Sequence, residues 1–159
     1  MTAGRNIILI ADDNADDVFF LLEAIKKAGI ENPTQIVKDG AETIDYLTGR
    51  GLYANREKYP FPALLLLDLK MPGPNGFDVL KRCQESGISP GLRIIVFSGS
   101  DLPADIEKAK SLGAAAYRVK CTGAPSLLKL ASELRDYWLA EHPRNSEPAP
   151  QLEFFQTFT

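Results

Sequence analysis

The sequence predicts a doubly wound α/β protein, and three observations carry that prediction. Leu64-Leu65-Leu66-Leu67 is an apolar run without alternation, as in a strand buried on both faces of a parallel sheet. Further strand-like runs stand at residues 6–11, 34–38, 93–98 and 115–120, each followed by turn residues and then by a helical apolar period. Strict alternation of strand and helix demands parallel pairing, because parallel strands need crossovers about as long as a helix.

Each element has its own local reason. Residues 6–11, Asn-Ile-Ile-Leu-Ile-Ala, form strand one and lead into Asp12-Asp13-Asn14. Asn14 is a good N-cap for helix one, and Asp16 and Asp17 fall in the first turn, where a negative charge favours the helix dipole. The helix is expected to run to about Ala28 with Gly29 as its stop. Its core stripe is read as Phe20, Leu21, Ala24, Ile25 and Ala28, with Val18, Phe19 and Leu22 widening the apolar arc. Strand two, at residues 34–38, is polar enough for an edge position. Asp39-Gly40 turns the chain into a short helix two with Ala41, Ile44, Leu47 and Tyr46 as its apolar positions.

Residues 49–62 make a long connection with a charged and aromatic middle, either a surface insertion or a binding loop. Strand three, residues 64–68, ends in Asp68, and Pro and Gly punctuate the loop that follows. Helix three opens at Gly76, carries Phe77, Val79, Leu80 and Cys83, and stops near Ser86-Gly87. Cys83 in this pattern is a small core residue. Strand four, residues 93–98, ends in Ser98. Ser100 or Asp101 caps helix four, Pro103 stands in its first turn, and Ile106, Ala109 and Leu112 face inward before Gly113. Strand five, residues 115–120, ends in Lys120. Helix five begins at Pro125, with Leu127, Leu130, Ala131, Leu134 and Trp138 as its stripe.

The bulk of the chain bounds its function. At 159 residues and 45% hydrophobic content it suits one globular domain. A net charge of -3, with no basic run on any element, gives no footprint for nucleic acid. No apolar run is long enough to span a membrane, and the N-terminus lacks a signal-peptide pattern. Cys83 and Cys121 make no disulfide framework, and with His142 they fall short of a structural zinc site. The expected setting is cytoplasmic. The glycine fingerprints of dinucleotide and P-loop sites are absent.

Chemistry-bearing residues gather at the strand ends: Asp12 and Asp13 after strand one, Asp68 after strand three, Ser98 after strand four, Lys120 after strand five. The flavodoxin-like strand order 2-1-3-4-5 places strands one and three side by side at the switch point, where ligands bind in open α/β sheets. Three carboxylates then meet, and they repel unless a cation is present. Oxygen donors of this kind suit Mg²⁺. A carboxylate beside Mg²⁺ can attack phosphorus and form an aspartyl phosphate, with Lys120 and the Ser98 hydroxyl neutralising the phosphoryl oxygens. Singly, each residue has an ordinary explanation as a cap, a loop hydroxyl or a surface lysine; their joint placement carries the reading.

Asp12-Asp13-Asn14, Asp68 with Met71-Pro72 and Gly76, Ser98-Gly99, and Tyr117 three before Lys120 together resemble the receiver domain of two-component response regulators. The resemblance spans residues 6–139, within a receiver domain expected at 1–142. It implies a phosphoacceptor at Asp68 served by a sensor histidine kinase, and Mg²⁺ held by Asp12, Asp13, Asp68 and the backbone carbonyl of Lys70. It also implies a switch pair of Ser98 and Tyr117, and a phosphorylatable switch with at most weak autophosphatase activity rather than an enzyme. The long loop before strand three and Tyr137-Trp138 are similar to small stand-alone regulators of phytochrome kinases. A receiver-like interaction module independent of phosphorylation is the alternative. A Mg²⁺-dependent aspartyl-phosphate hydrolase fits less well, because its nucleophile follows the first strand.

One departure stands out. Family members usually carry proline after the lysine, in a cis peptide; here Cys121 follows. The Lys120–Cys121 peptide is therefore expected to be trans, shifting Lys120 and the loop to Thr122, or a strained cis bond held by its surroundings. Phe19 and Leu22 are expected to contact a kinase helix bundle, with the chain's own tail or a homodimer mate as the other occupants. Residues 143–159 are read as a Pro-containing linker and an aromatic tail with Leu152, Phe154, Phe155 and Phe158, which docks on this domain or on a partner.

Overall fold

The computed structural model describes residues 7–88, 91–120, 124–139 and 153–156. The elements are β1 (Ile8–Ala11), α1 (Ala15–Lys27), β2 (Thr34–Val37), α2 (Gly40–Thr48), β3 (Leu64–Leu67), α3 (Gly76–Ser86), β4 (Arg93–Ser98), α4 (Pro103–Ser111), β5 (Ala116–Val119), α5 (Ala124–Glu133) and β6 (Phe155–Gln156). All strands pair in parallel, in the order β2-β1-β3-β4-β5-β6. This is the predicted 2-1-3-4-5 sheet with one strand more. The added strand, Phe155–Gln156, lies within the expected aromatic tail and docks on this domain along β5, while Leu152 and Phe158 lie outside the described residues.

Alternate strand residues feed two cores. Leu9, Ala11, Leu65, Leu67, Val96 and Tyr117 join the α2–α3–α4 side, with Leu47, Val79 and Ala109. Ile8, Ile10, Leu64, Leu66, Ile95 and Phe97 join the other side, with Leu21, Ile25, Leu130 and Leu134 from α1 and α5. A strand buried on both faces has no polar side to alternate with, which is why β3 reads as four leucines.

Helix α1 corrects the expected stripe. Val18, Leu21, Ala24 and Ile25 are buried, and Leu22 packs half-buried against the same core. Phe20 is not a core residue: it is 55% exposed, edge-to-face with Phe19 at 57%. Five consecutive apolar residues, 18–22, span more than one face, so their period alone leaves the centre of the arc undetermined. In α2, Tyr46 and Leu47 are buried whereas Ala41 is exposed. Helix α4 is N-capped by Leu102 without a side-chain bond. Ser100 serves it differently, accepting the Leu102 N–H at 3.3 Å and donating to Asp105 at 2.6 Å.

The 49–62 connection folds back on α2. It contains a 3₁₀ turn, Gly51–Ala54, and buries Tyr53 against Tyr46 with ring centroids 4.7 Å apart. Arg56 donates to the carbonyls of Tyr46 and Leu47 at 2.8 and 3.0 Å, satisfying the C-terminal end of the helix. The aromatic middle of the loop thus serves packing. Burial pushes the Cys83 thiol up to about 11, as expected of a core cysteine. Helix α5 continues as a π turn, Leu134–Trp138, which aims the Trp138 indole back at Glu133, 2.8 Å from Oε1. No described helix is long and apolar enough to cross a membrane. Cys121, His142 and the linker at 143–150 lie outside the described residues.

Candidate functional site

Register builds the site. Ala11 and Leu67 are partners across β1 and β3, so the next residues, Asp12 and Asp68, emerge side by side at the strand ends. The Asp12 N–H donates to Val37 O at 3.0 Å and the Asp68 N–H to Ala11 O at 2.9 Å, fixing both carboxylates to the sheet. Each then folds into a local turn: Asp12 Oδ1 accepts the Asn14 N–H at 2.9 Å, and Asp68 Oδ1 accepts the Lys70 N–H at 3.2 Å. Gly76 lets α3 start against this edge. A Cβ there would come within 2.5 Å of the Asp68 carbonyl oxygen, so the close approach admits only glycine.

Lys120 reaches the centre. Its N–H donates to Ser98 O at 2.7 Å, holding the end of β5 beside the end of β4. Its Nζ lies 2.7 Å from Asp12 Oδ2, 3.0 Å from Asp17 Oδ2 and 3.2 Å from Asp68 Oδ2. Its ammonium also lies 5.7 Å from the centroid of the Phe97 ring. The lysine is therefore at the site, while the Lys120–Cys121 peptide lies outside the described residues. From the sequence, Asp17 has only the role of a first-turn helix acid. Its distance in sequence from Asp68 and Lys120 gives no hint of contact, although the N3 position of a capped helix points back toward the cap residue, at the strand-end edge of α1.

Electrostatics set the site apart. Burial pushes the Asp68 carboxyl above its ordinary range; Lys120 pulls it back, and the neighbouring Asp12 pushes it up again, with a net rise. Burial works against the Lys120 charge, yet the bond to Asp12 and the charges of Asp68 and Asp12 outweigh it and hold the ammonium above its usual range. One cation thus faces several carboxylates. Asp12, Asp13 and Asp68 each offer an oxygen, all within 4.8 Å of one another. An all-oxygen set of this size fits a hard divalent cation.

The predicted switch residues stand behind it. Ser98 is fully buried, and its Oγ accepts the Ser100 N–H at 3.3 Å. Tyr117 is also fully buried, and its hydroxyl donates to Ser100 O at 2.7 Å. The ring is turned into the molecule, and burial pushes its phenol above the ordinary value. The structure brings Lys120 into direct contact with Asp12 and Asp68, and an oxygen of Asp13 within 4.8 Å of both carboxylates. Ser98 and Tyr117 share Ser100 as a common partner.

Comparison with known proteins agrees with this geometry. The family model described as the response regulator receiver domain matches residues 8–132. The response regulator RPA3017 in red light signaling of R. palustris is 31% identical, with a TM-score of 0.78 over 92% of this chain and 99% of that one. The phosphorylated cyanobacterial phytochrome response regulator RcpA is 27% identical, with a TM-score of 0.78 over 89% and 99% of the two chains. Response regulator Rcp1 of Synechocystis sp. is 26% identical over 84% of this chain and 88% of its own length. Its Mn²⁺-bound form superposes with a TM-score of 0.72 over 92% of this chain and 99% of that one. Fold, strand-end carboxylates and family model converge, and the chain belongs to the receiver domain family of response regulators.

Proposed function

We propose that the chain is a stand-alone response regulator that accepts a phosphoryl group on Asp68 from a sensor histidine kinase, with Mg²⁺ as cofactor. The observation that carries this reading is a single lysine facing Asp12, Asp17 and Asp68 at the β1–β3 edge. Asp12, Asp13 and Asp68, with the backbone carbonyl of Lys70, would hold the ion. When bound, Mg²⁺ supplies charge neutralisation to the transferring phosphoryl oxygens.

The chain's own residues do the rest. A carboxylate oxygen of Asp68 forms the new P–O bond as the P–N bond to the donor imidazole breaks. The electron pair leaves with the imidazole nitrogen, which takes up a proton. Lys120 gives up its bonds to the carboxylates and donates to a phosphoryl oxygen, a charge-assisted bond stronger than a neutral one. Ser98 turns its hydroxyl proton to a second oxygen. Tyr117, turned inward behind it, keeps the β4–α4 loop in place through Ser100. The phosphoryl group then leaves only by slow hydrolysis, so the protein acts as a switch.

Phe19 and Phe20 present an exposed aromatic pair on α1, close in sequence to Asp17. They, rather than Phe19 and Leu22, form the proposed kinase contact. The phytochrome and red-light contexts of RcpA and RPA3017 support a phytochrome-type kinase as partner.

Acetyl phosphate and Mg²⁺ test the reading. Intact-mass measurement should show one added phosphoryl group on the wild type and none on Asp68→Asn. A wild type that stays unmodified, and does not respond to beryllium fluoride, would overturn it. Phe19→Ser/Phe20→Ser should slow transfer from the kinase while leaving acetyl phosphate unaffected.

A further inference from the structure

Strand β6 lies beside the switch tyrosine. The Tyr117 N–H donates to Phe154 O at 2.6 Å, and Arg118 Nη1 donates to the same carbonyl at 2.7 Å. Tyr117 is the register partner of Phe155, and their ring centroids are 6.0 Å apart. Phe154 and Phe155 both pack on the α2–α3–α4 core, and the Lys110 ammonium lies 5.8 Å from the Phe154 ring. Without β6, β5 would be the sheet edge, and Tyr117 would lose the Phe155 ring beside it. With β6 in place, Phe155 fills the neighbouring position, and the ring is fully buried.

From Tyr117 a contiguous set of contacts leads inward. The phenol holds Ser100 O at 2.7 Å, and the Ser100 N–H holds Ser98 Oγ at 3.3 Å. Ser98 stands at the end of β4, whose neighbour in the sheet, β3, ends at Asp68. Tyr117 is the ring that the receiver resemblance names as a switch; it lies inward here, and both β6 and the β4–α4 loop bear on it.

We propose that the tail strand β6 is an internal effector of the Asp68 site: by closing the β5 edge it holds Tyr117 inward, so tail docking and occupancy of Asp68 favour one another. This rests on the reading of Asp68 as phosphoacceptor. Linkage makes the effect reciprocal: whatever factor the docked tail adds to affinity at Asp68, occupancy of Asp68 adds to docking of the tail. A partner that peels the tail from β5 would weaken the phosphorylated state, and a partner that clamps it would prolong that state.

The test uses the full chain and the phosphoryl mimic beryllium fluoride with Mg²⁺. Phe154→Ala/Phe155→Ala should bind beryllium fluoride at least about 5-fold more weakly than the wild type, the lower end of ordinary couplings. The Tyr117 amide, clamped to Phe154 O, should exchange its proton faster in the variant. In the wild type, beryllium fluoride should slow that exchange by a matching factor. A synthetic peptide of residues 151–159 added to the variant should restore affinity, which separates loss of the tail from damage to the fold. Equal affinity in the two proteins would overturn the coupling, as would a Tyr117 amide whose exchange the double substitution leaves unchanged. A wild type that does not bind beryllium fluoride at all would overturn the reading of Asp68 and the coupling with it.

Discussion

Two cations stand two residues apart, Arg118 on β5 and Lys120 just past its end, and their surroundings are opposites. Arg118 is fully buried and meets one carboxylate, Glu133, in a bidentate pair with Nη2 2.7 Å from Oε1. Its remaining contacts are the carbonyls of Tyr117 and Phe154, while Glu133 also accepts the Trp138 indole N–H. Charge matches charge there, and donors match acceptors. Lys120, by contrast, is shared among three carboxylates, with Asp13 near two of them. The Arg118 cluster is complete as it stands. The Lys120 cluster carries an excess of negative charge that a divalent cation would balance. Asp12 and Asp68 are buried about as deeply as Glu133, so compensation rather than burial of the carboxylates separates structure from site.

The largest expected effect tests the compensated side. Arg118→Met leaves the Glu133 carboxylate buried without its counter-charge and takes a donor from the tail carbonyl. The loss should be about 3–5 kcal/mol in urea unfolding, the usual cost of breaking a buried pair from one side. Removing both partners, Arg118→Met/Glu133→Leu, should cost less than the single change. A single variant within about 1 kcal/mol of the wild type would break the contrast between the two clusters.

The two clusters also differ in how far the sequence announces them. The Lys120 site was legible because strand ends in a doubly wound sheet converge, and Asp12-Asp13, Asp68, Ser98 and Lys120 stand at the ends of four readable apolar runs. The Arg118 cluster was not. A mid-strand arginine reads as an outward-facing residue, and its partner Glu133 is a helix acid with no marked spacing to it. Strand β6 is two residues long, too short to show a period, so the tail gave away its stickiness but not its seat. Phe20 was misplaced because Val18 to Leu22 is uniformly apolar. Asp17 escaped because its charge already had an adequate local reason.

On the uncompensated side, Asp68 should show its strain in metal-free buffer. Its folded-state carboxyl holds its proton to higher pH than in the unfolded chain, whose ordinary value is 3.8. Above that value the folded state binds more protons than the unfolded one. Stability is therefore complete below it and falls as pH rises through the folded-state value. Asp68→Asn should accordingly be more stable than the wild type at neutral pH in chelator, with the gap closing as pH is lowered toward 4. Excess Mg²⁺ should reverse the order, because binding at 100 times the dissociation constant stabilises by about 2.7 kcal/mol. A wild type whose metal-free stability rises with pH through this range, relative to Asp68→Asn, would mean that Lys120 compensates Asp68 after all.

The smallest effect is expected at Asp17. Its bond to Lys120 is as short as several in the Arg118 cluster, at 3.0 Å, but its side chain is 41% exposed. Water screens the pair, and Lys120 keeps Asp12 and Asp68 when Asp17 is lost. Asp17 also stands in the first turn of α1, where its charge favours the helix dipole by less than about 1 kcal/mol. Both contributions together should keep Asp17→Asn within about 1 kcal/mol of the wild type in urea unfolding. Removing one of several carboxylates also relieves repulsion among the rest, which works against the loss. A cost near that of Arg118→Met would show that the Lys120 cluster is held together as a structural unit, and distance alone, rather than compensation, would then describe both clusters.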